Sequence, residues 1–283
     1  MGTYASTIWW LMELADMSDG TRDNEARRRE IREHFSKPVA LTGKDKELLA
    51  ELVRGAEACF ANAEKLFEEA SLLREHKHFS RSIFLHQIAM EECAKVDMIG
   101  AAATALTFGH PIDFARFERA FRDHRAKNFT NAYMSEASEA EKAGRAANDP
   151  KAASAAFRAS QREIHGFLNA AKNSSMYVDF KKGKFVAPED VVGEEEVLLI
   201  AGLSSYFMSI TAPRLPPLRR MLENPSLHAE LMSGFADAML KGLPDQGTFA
   251  DMEAAIDGYI DQMLATLRAK ELKDAHVADK DLP

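Results

Sequence analysis

The sequence predicts an all-α protein, an up-and-down helical bundle with a short β-hairpin or extended arm near 176–187 and additional helices at its C-terminal end. Three observations carry this. Apolar residues between Leu49 and Leu73 recur every three or four positions, the spacing of a single helix face. Glycine and proline are sparse, 15 and 10 in 283 residues, and they fall where the helical pattern stops. A short extended pattern is confined to the stretch Met176 to Val186.

In chain order, residues 1–45 form a helical appendage. A short apolar turn with Trp9 and Trp10 leads through Ser18-Asp19-Gly20 to a stretch from Arg22 to His34. That stretch holds five arginines against four acids, the balance of a solvated mixed-charge helix. Residues 46–192 form the core bundle. Its first helix carries Leu49, Leu52, Val53, Ala56, Cys59, Phe60, Ala63, Leu66, Phe67, Ala70 and Leu73 on one face. The second runs from about Phe79 to Leu106 and is closed by Gly109-His110-Pro111. The third begins after Pro111 with Asp113 as cap, carries Phe114, Phe117 and Phe121 on one stripe, and fades near 135–149. Asn148-Asp149-Pro150 starts the fourth, a capping residue followed by proline at the first helical position. Residues 193–283 are expected to form a C-terminal extension packed on the core, with helices near 194–211, 217–241 and 248–274.

Composition excludes several classes. The net charge of -8 argues against a histone-like coat on nucleic acid, although a local basic patch can still bind it. Cys59 and Cys93 make neither a disulfide framework nor a zinc site, which places the chain in a reducing cytoplasm. No run approaches the roughly 18 consecutive apolar residues of a membrane span, and the N-terminus lacks the pattern of a signal peptide. Glycine-rich phosphate loops, G-x-S-x-G elbows and Cys-x-x-Cys pairs are absent. Glu75-x-x-His78 stands without the second such pair that a di-iron bundle requires. No metal and no cofactor are expected.

The second and third helices break their own pattern. On the stripe of Phe84, Leu85, Ile88 and Ile99 sit Arg81, Glu91, Glu92 and Lys95. Charges on an apolar face are rarely buried unpaired, so they form either a structural Glu–Lys pair at the stripe's edge or a functional cluster. His124 and Lys127 continue the phenylalanine stripe of the third helix in the same way. Arg116, Arg119, Arg122, Arg125 and Lys127 outnumber Glu118 and Asp123 in that segment, and Lys181, Lys182 and Lys184 gather in the arm. These two basic patches are either ordinary solvated surface or a guide for a polyanion.

The residues carry a resemblance. The run Ala63-Glu64-Lys65-Leu66-Phe67-Glu68-Glu69-Ala70-Ser71-Leu72-Leu73, then Ser80-Arg81-Ser82-Ile83, then Met90-Glu91-Glu92-Cys93-Ala94-Lys95 resembles the AbiV-type abortive infection proteins of bacteria. So do His124-Arg125-Ala126-Lys127 and Lys172-Asn173-Ser174-Ser175-Met176-Tyr177-Val178-Asp179, followed by Gly183 and Pro188. The order and spacing agree over about residues 48–200.

The resemblance implies a HEPN-type helical bundle that defends against phage by stopping the growth of infected cells. Many such proteins are metal-independent ribonucleases working as homodimers, with an Arg followed within two turns by a His. Here Lys172-Asn173-x-x-x-Tyr177 stands where Arg-Asn-x-x-x-His is expected, so a tyrosine takes the place of the histidine. Arg81-x-x-x-x-His86 has the spacing but lies inside the second helix, with His86 expected to point away from the core.

Cleavage by the 2′-hydroxyl needs a base for that proton and positive charge on the phosphorane, and an imidazole titrates near neutral pH where a phenol does not. The expected catalytic set is therefore His124 as base, Lys127 and Lys172 stabilising charge, and Asn173 and Tyr177 placing the phosphate. Glu91 and Glu92 orient Lys95 or His124, with Arg81 and Asp179 in support. Arg116, Arg119, Arg122, Lys181, Lys182 and Lys184 are the expected RNA contacts. The implied partners are a second copy of the chain, RNA as substrate, and a phage-encoded activator or trigger protein. The alternative is a non-catalytic HEPN-like protein that binds RNA, nucleotide or a phage protein and blocks translation by association.

Overall fold

The structure, a computed structural model, describes residues 39–133 and 135–242, together with helical residues at 29, 32–35 and between 251 and 265. The segment around Trp9 and Trp10 and most of the expected helix over 248–274 lie outside the described residues.

Helix α1 (Gly43–Glu75) opens with a capping box: the Asp45 N–H donates to Thr42 Oγ1, and the Asp45 carboxylate accepts from the Thr42 N–H. Two otherwise orphaned donors are satisfied this way. Most of its predicted face is buried, from Leu49 to Ala70, while Cys59, Leu66, Phe67 and Leu73 are half-buried. A three-residue turn, with Lys77 in the left-handed region at φ 60°, sends the chain back along it as α2 (Phe79–Thr107).

Helix α2 is the axis of the bundle. Twenty of its 29 residues are buried, so it has no solvent face of its own, as expected for a helix surrounded by neighbours. This corrects the single apolar stripe expected around Ile88. Arg81 is exposed, whereas His86 is fully buried, edge-on to Phe67 with ring centroids 5.0 Å apart.

The expected third helix is two. Helices α3 (Phe114–Arg122) and α4 (His124–Tyr133) are separated by Asp123, extended at φ -80° and ψ 113°. Its carboxylate accepts the Arg125 N–H at 2.8 Å, starting a new helix where the apolar stripe alone would continue the old one. Phe117 and Phe121 pack inward, while Phe114 is exposed.

The fading stretch near 135–149 holds a helix of its own, α5 (Glu139–Ala146), capped by Ser138. Gly144 lets it press against α6 (Pro150–Met176): a Cβ there would lie 2.6 Å from the Ala153 nitrogen. The start of α6 is as predicted, with the Asp149 side chain accepting from the Ala152 N–H and Pro150 at the first position.

The arm is a two-stranded antiparallel hairpin, β1 (Asp179–Lys181) and β2 (Lys184–Val186), with Phe180 opposite Phe185. Lys182 and Gly183, at φ 50° and 80°, make the turn that right-twisted strands prefer. Helix α7 (Pro188–Val191) leads into α8 (Glu194–Thr211), a 3₁₀ turn (Ala212–Arg214), α9 (Leu215–Glu223) and α10 (Pro225–Gly242). The helix expected over 217–241 is interrupted at Asn224, whose side chain accepts the Leu227 N–H at 3.0 Å just ahead of Pro225.

Among the described residues, two clusters make up much of the core. Leu49, Val53 and Phe60 of α1 meet Val96, Ile99 and Leu106 of α2 and Leu218 and Met221 of α9. Ile83, Met90 and Cys93 of α2 meet Leu168 of α6 and Val197, Ile200 and Phe207 of α8. The second cluster accounts for part of the apolar character of α8, whose Leu198, Leu199 and Tyr206 are exposed. By length and composition the stretch Glu194–Glu223 could cross a membrane, but Val197, Ile200 and Phe207 are core positions against α2. Truncating a buried leucine such as Leu49 to alanine removes about 2–5 kcal/mol.

Candidate functional site

Glu91 lies on α2 at the point where α4 and α6 cross it. Its side chain is 6% exposed and meets three basic residues drawn from two other helices. Lys127 Nζ is 2.7 Å from Oε2, His124 Nδ1 is 2.7 Å from Oε1, and Lys172 Nζ is 3.5 Å from Oε1. His124 and Lys127 sit one turn apart on α4, so both reach the same carboxylate. Lys172, on the last two turns of α6, arrives from the other side.

Burial pushes the Glu91 carboxyl up. The hydrogen bonds from Lys127 and His124 and the charges of Lys127 and Lys172 outweigh it, so the group is held below the ordinary carboxylate range. An ionised carboxylate only accepts, so His124 Nδ1 must donate to it. In the neutral ring this leaves Nε2 as an acceptor. His124 is half exposed, and solvent or substrate can reach it.

Polar residues tie the three helices around this point. Asn131 Nδ2 donates to the Met90 carbonyl at 3.0 Å, Asn128 Nδ2 lies 3.2 Å from His165 Nδ1, and Gln87 Nε2 donates to the Leu168 carbonyl at 2.6 Å. Gln87 and Asn128 border a cleft of about 10 Å³ that also reaches Asn169 and Lys172, room for about one water molecule. The sequence reading missed Asn128, Asn131, Gln87 and Asn169. For Asn128 and Asn131 the signal was there, since they extend the His124 and Lys127 face of α4.

The other expected residues divide. Glu92 and Lys95 pair with each other at 2.5 Å, with the Lys95 ammonium 5.5 Å from the centre of the Phe121 ring. Beside them, burial and the Glu92 charge push the Cys59 thiol up to about 11. Arg81 is exposed on the first turn of α2, outside this network. Asn173 is exposed, and Tyr177, at the residue where α6 ends, is 58% exposed. Asp179 pairs with Lys181 at 3.0 Å in the hairpin, away from Glu91. The arm with Lys182 and Lys184 is exposed. Arg122 bonds Glu118 at 3.3 Å on the surface, whereas Arg116 and Arg119 line a cavity behind α4. Among the described residues no group of three or more His, Cys, Asp or Glu is placed to hold a metal ion.

Known proteins were compared with this chain. An uncharacterized protein of Sinorhizobium fredii, y4gJ, is 39% identical over 101 residues, which cover 36% of this chain and 53% of that protein. The chain thus spans about half the length of that curated relative. No solved structure matches. The AbiV family model matches residues 51–203, more than half of the chain, and that span contains Glu91, His124, Lys127 and Lys172 together with the helices that carry them. The helical bundle and the family match agree: the chain belongs to the AbiV family of HEPN proteins.

Proposed function

We propose that this protein is an anti-phage effector of the abortive-infection type that cleaves RNA without a metal ion, using the cluster on Glu91. The observation that carries the reading is one buried carboxylate holding two lysines and a half-exposed histidine. Two lysines and a histidine around one carboxylate suit the cluster to a phosphodiester.

In this reading His124 Nε2 takes the proton of the 2′-hydroxyl, which then attacks the adjacent phosphorus. Lys127 and Lys172 offset the charge that builds on the phosphorane oxygens. Lys172, at 3.5 Å from Glu91, is the less committed ammonium and the one placed to protonate the departing 5′-oxygen. Glu91 is a positioning residue that fixes the ring and tautomer of His124. The products are a 2′,3′-cyclic phosphate and a free 5′-hydroxyl. Tyr177, exposed beyond the end of α6, contacts the substrate outside the cluster, and the basic arm and Arg122 hold the flanking strand.

The reading carries a cytoplasmic homodimer and a phage-encoded trigger. Support for the dimer comes from α8, where Leu198, Leu199 and Tyr206 share one exposed face. A second reading, association with RNA without cleavage, is favoured by Tyr177 standing where the family resemblance leads to a histidine. Purified protein and Lys172→Ala are incubated with total RNA in excess chelator and resolved on a denaturing gel. Cleavage by the unmodified protein alone, with cyclic phosphate ends, is the expected result. Intact RNA that is nevertheless retained in a salt-dependent complex selects the second reading.

A further inference from the structure

On the side of α4 away from Glu91 the bundle carries a half-open cavity of about 530 Å³. That is within the roughly 300–1,000 Å³ of small-molecule sites. Met98 and Ala105 of α2, Ile112, Phe117 of α3 and Phe129 of α4 supply apolar and aromatic walls. The imidazoles of His34 and His110, which also line it, stack with centroids 3.8 Å apart and 9° between planes. His110 Nε2 donates to the His34 carbonyl at 2.9 Å, which holds the pair in place. His34 Nε2 is buried and has no hydrogen-bond partner among the described residues. Burial and the neighbouring His110 lower the His34 pKa to about 4, so this ring is neutral at physiological pH.

Charge enters from α3. Arg116 and Arg119 line the cavity, and among the described residues neither guanidinium is in an ion pair. Asp113 and Asp123 line it too, but each carboxylate accepts a backbone N–H, from Arg116 and Arg125 respectively. Two arginines free to fork onto an anion, balanced by two committed carboxylates, suit one acidic group and disfavour a polyanion. Helix α3 itself contributes no fully buried residue, so this wall is loosely held and can adjust to an occupant.

We propose that this cavity is a ligand site for a small aromatic molecule carrying one acidic group. Its ring lies among Phe117, Phe129 and the imidazole stack, and its acidic group meets Arg116 and Arg119. The proposal is independent of the RNA-cleavage reading, because none of these residues touches Glu91.

The test uses the full chain and two fluorescent probes of the same shape: anilinonaphthalene sulfonate, and phenylnaphthylamine, which lacks the sulfonate. The sulfonate is expected to bind saturably at a single site, with the neutral probe and the Arg116→Ala/Arg119→Ala variant each weaker by about tenfold or more. Ala105→Phe and Ala120→Phe, two ways of filling the cavity, are expected to abolish binding, with helical circular dichroism reporting which of them folds. Undiminished binding by a folded filled variant places the probe elsewhere and overturns the site. Equal binding of the neutral probe and equal binding by the arginine variant overturn the assignment of an anion. The absence of saturable binding overturns the proposal outright.

Discussion

Lys127 Nζ lies 2.7 Å from Glu91 Oε2, with both side chains only 6% exposed, so the pair that anchors the candidate site is also a buried ion pair at the crossing of α2 and α4. Function and stability are therefore coupled at this point. Removing one member leaves the other charge desolvated and uncompensated, whereas removing both relieves both desolvation terms.

Glu91→Gln is accordingly expected to destabilise the fold by about 3 kcal/mol, and Glu91→Gln with Lys127→Met to regain part of that loss. Urea unfolding of the two variants checks the order. Equal stability of Glu91→Gln and the unmodified protein would mean that Lys127 finds water or another acceptor.

Stability should fall as the solution is acidified below neutral. Burial holds His34, His86 and His228 at about 4 against an ordinary 6.5, assisted at His34 by His110 and at His86 by Arg74. Between those values the unfolded chain binds protons that the folded chain refuses. The contribution of these residues is therefore present above 6.5 and lost as pH drops toward 4, at up to about 1.4 kcal/mol per pH unit each. Asp97 acts in the opposite sense. Burial raises it from 3.8 to about 6 against the pull of Arg214, so its contribution is lost as pH rises through that window and offsets one histidine of the three. His86→Phe, which replaces a buried ring whose nitrogens have no partner among the described residues, should flatten the acid limb. Melting temperatures from pH 4 to 7 provide the comparison.

Arg214 binds Asp97 through two bonds, at 2.6 and 2.8 Å, and ties the 3₁₀ turn ahead of α9 to the middle of α2. Asp97→Asn should cost about 3 kcal/mol by leaving the guanidinium buried and unpaired. Asp97→Leu with Arg214→Met should be close to neutral or stabilising, because a buried pair replaced by apolar groups of similar size no longer carries the desolvation of two charges. Denaturant midpoints of the single and double variants separate a net stabilising bridge from one that only fixes how α9 seats.

Much of this fold is legible in the sequence where local chemistry is decisive. The α1 face, the Asp149-Pro150 start and the hairpin around Gly183 each follow from spacing, a cap or a turn. The breaks at Asp123 and Asn224 escape a reading of apolar stripes, because the stripe continues while a side chain takes the backbone N–H that starts the next helix. Ser138-x-x-Glu141 is itself a helix-start signature, overlooked within an alanine-rich stretch. Helix α2 defeats the stripe logic altogether: buried on every side, it conceals His86 and exposes Arg81.

The site is half legible for the same reasons. His124, Lys127 and Glu91 stand out as polar groups on expected apolar stripes. Which of Glu91 and Glu92 takes which cation depends on how α4 crosses α2, a long-range matter that spacing does not encode. Lys172 enters as a basic residue near the end of the fourth helix and by the resemblance. Asn173, Tyr177 and Asp179 follow it in sequence but not in space, because α6 ends at Met176 and the chain turns away into the exposed arm.

The most direct test replaces His124 with Asn and measures, on one labelled RNA in excess chelator, both the cleavage rate and the dissociation constant. The account predicts a rate lower by about a hundredfold or more with affinity changed by no more than about twofold, since Lys127, Lys172 and the basic arm remain. A cleavage rate equal to that of the unmodified protein would contradict it, because the half-exposed imidazole on the Glu91 carboxylate would then have no part in moving the proton.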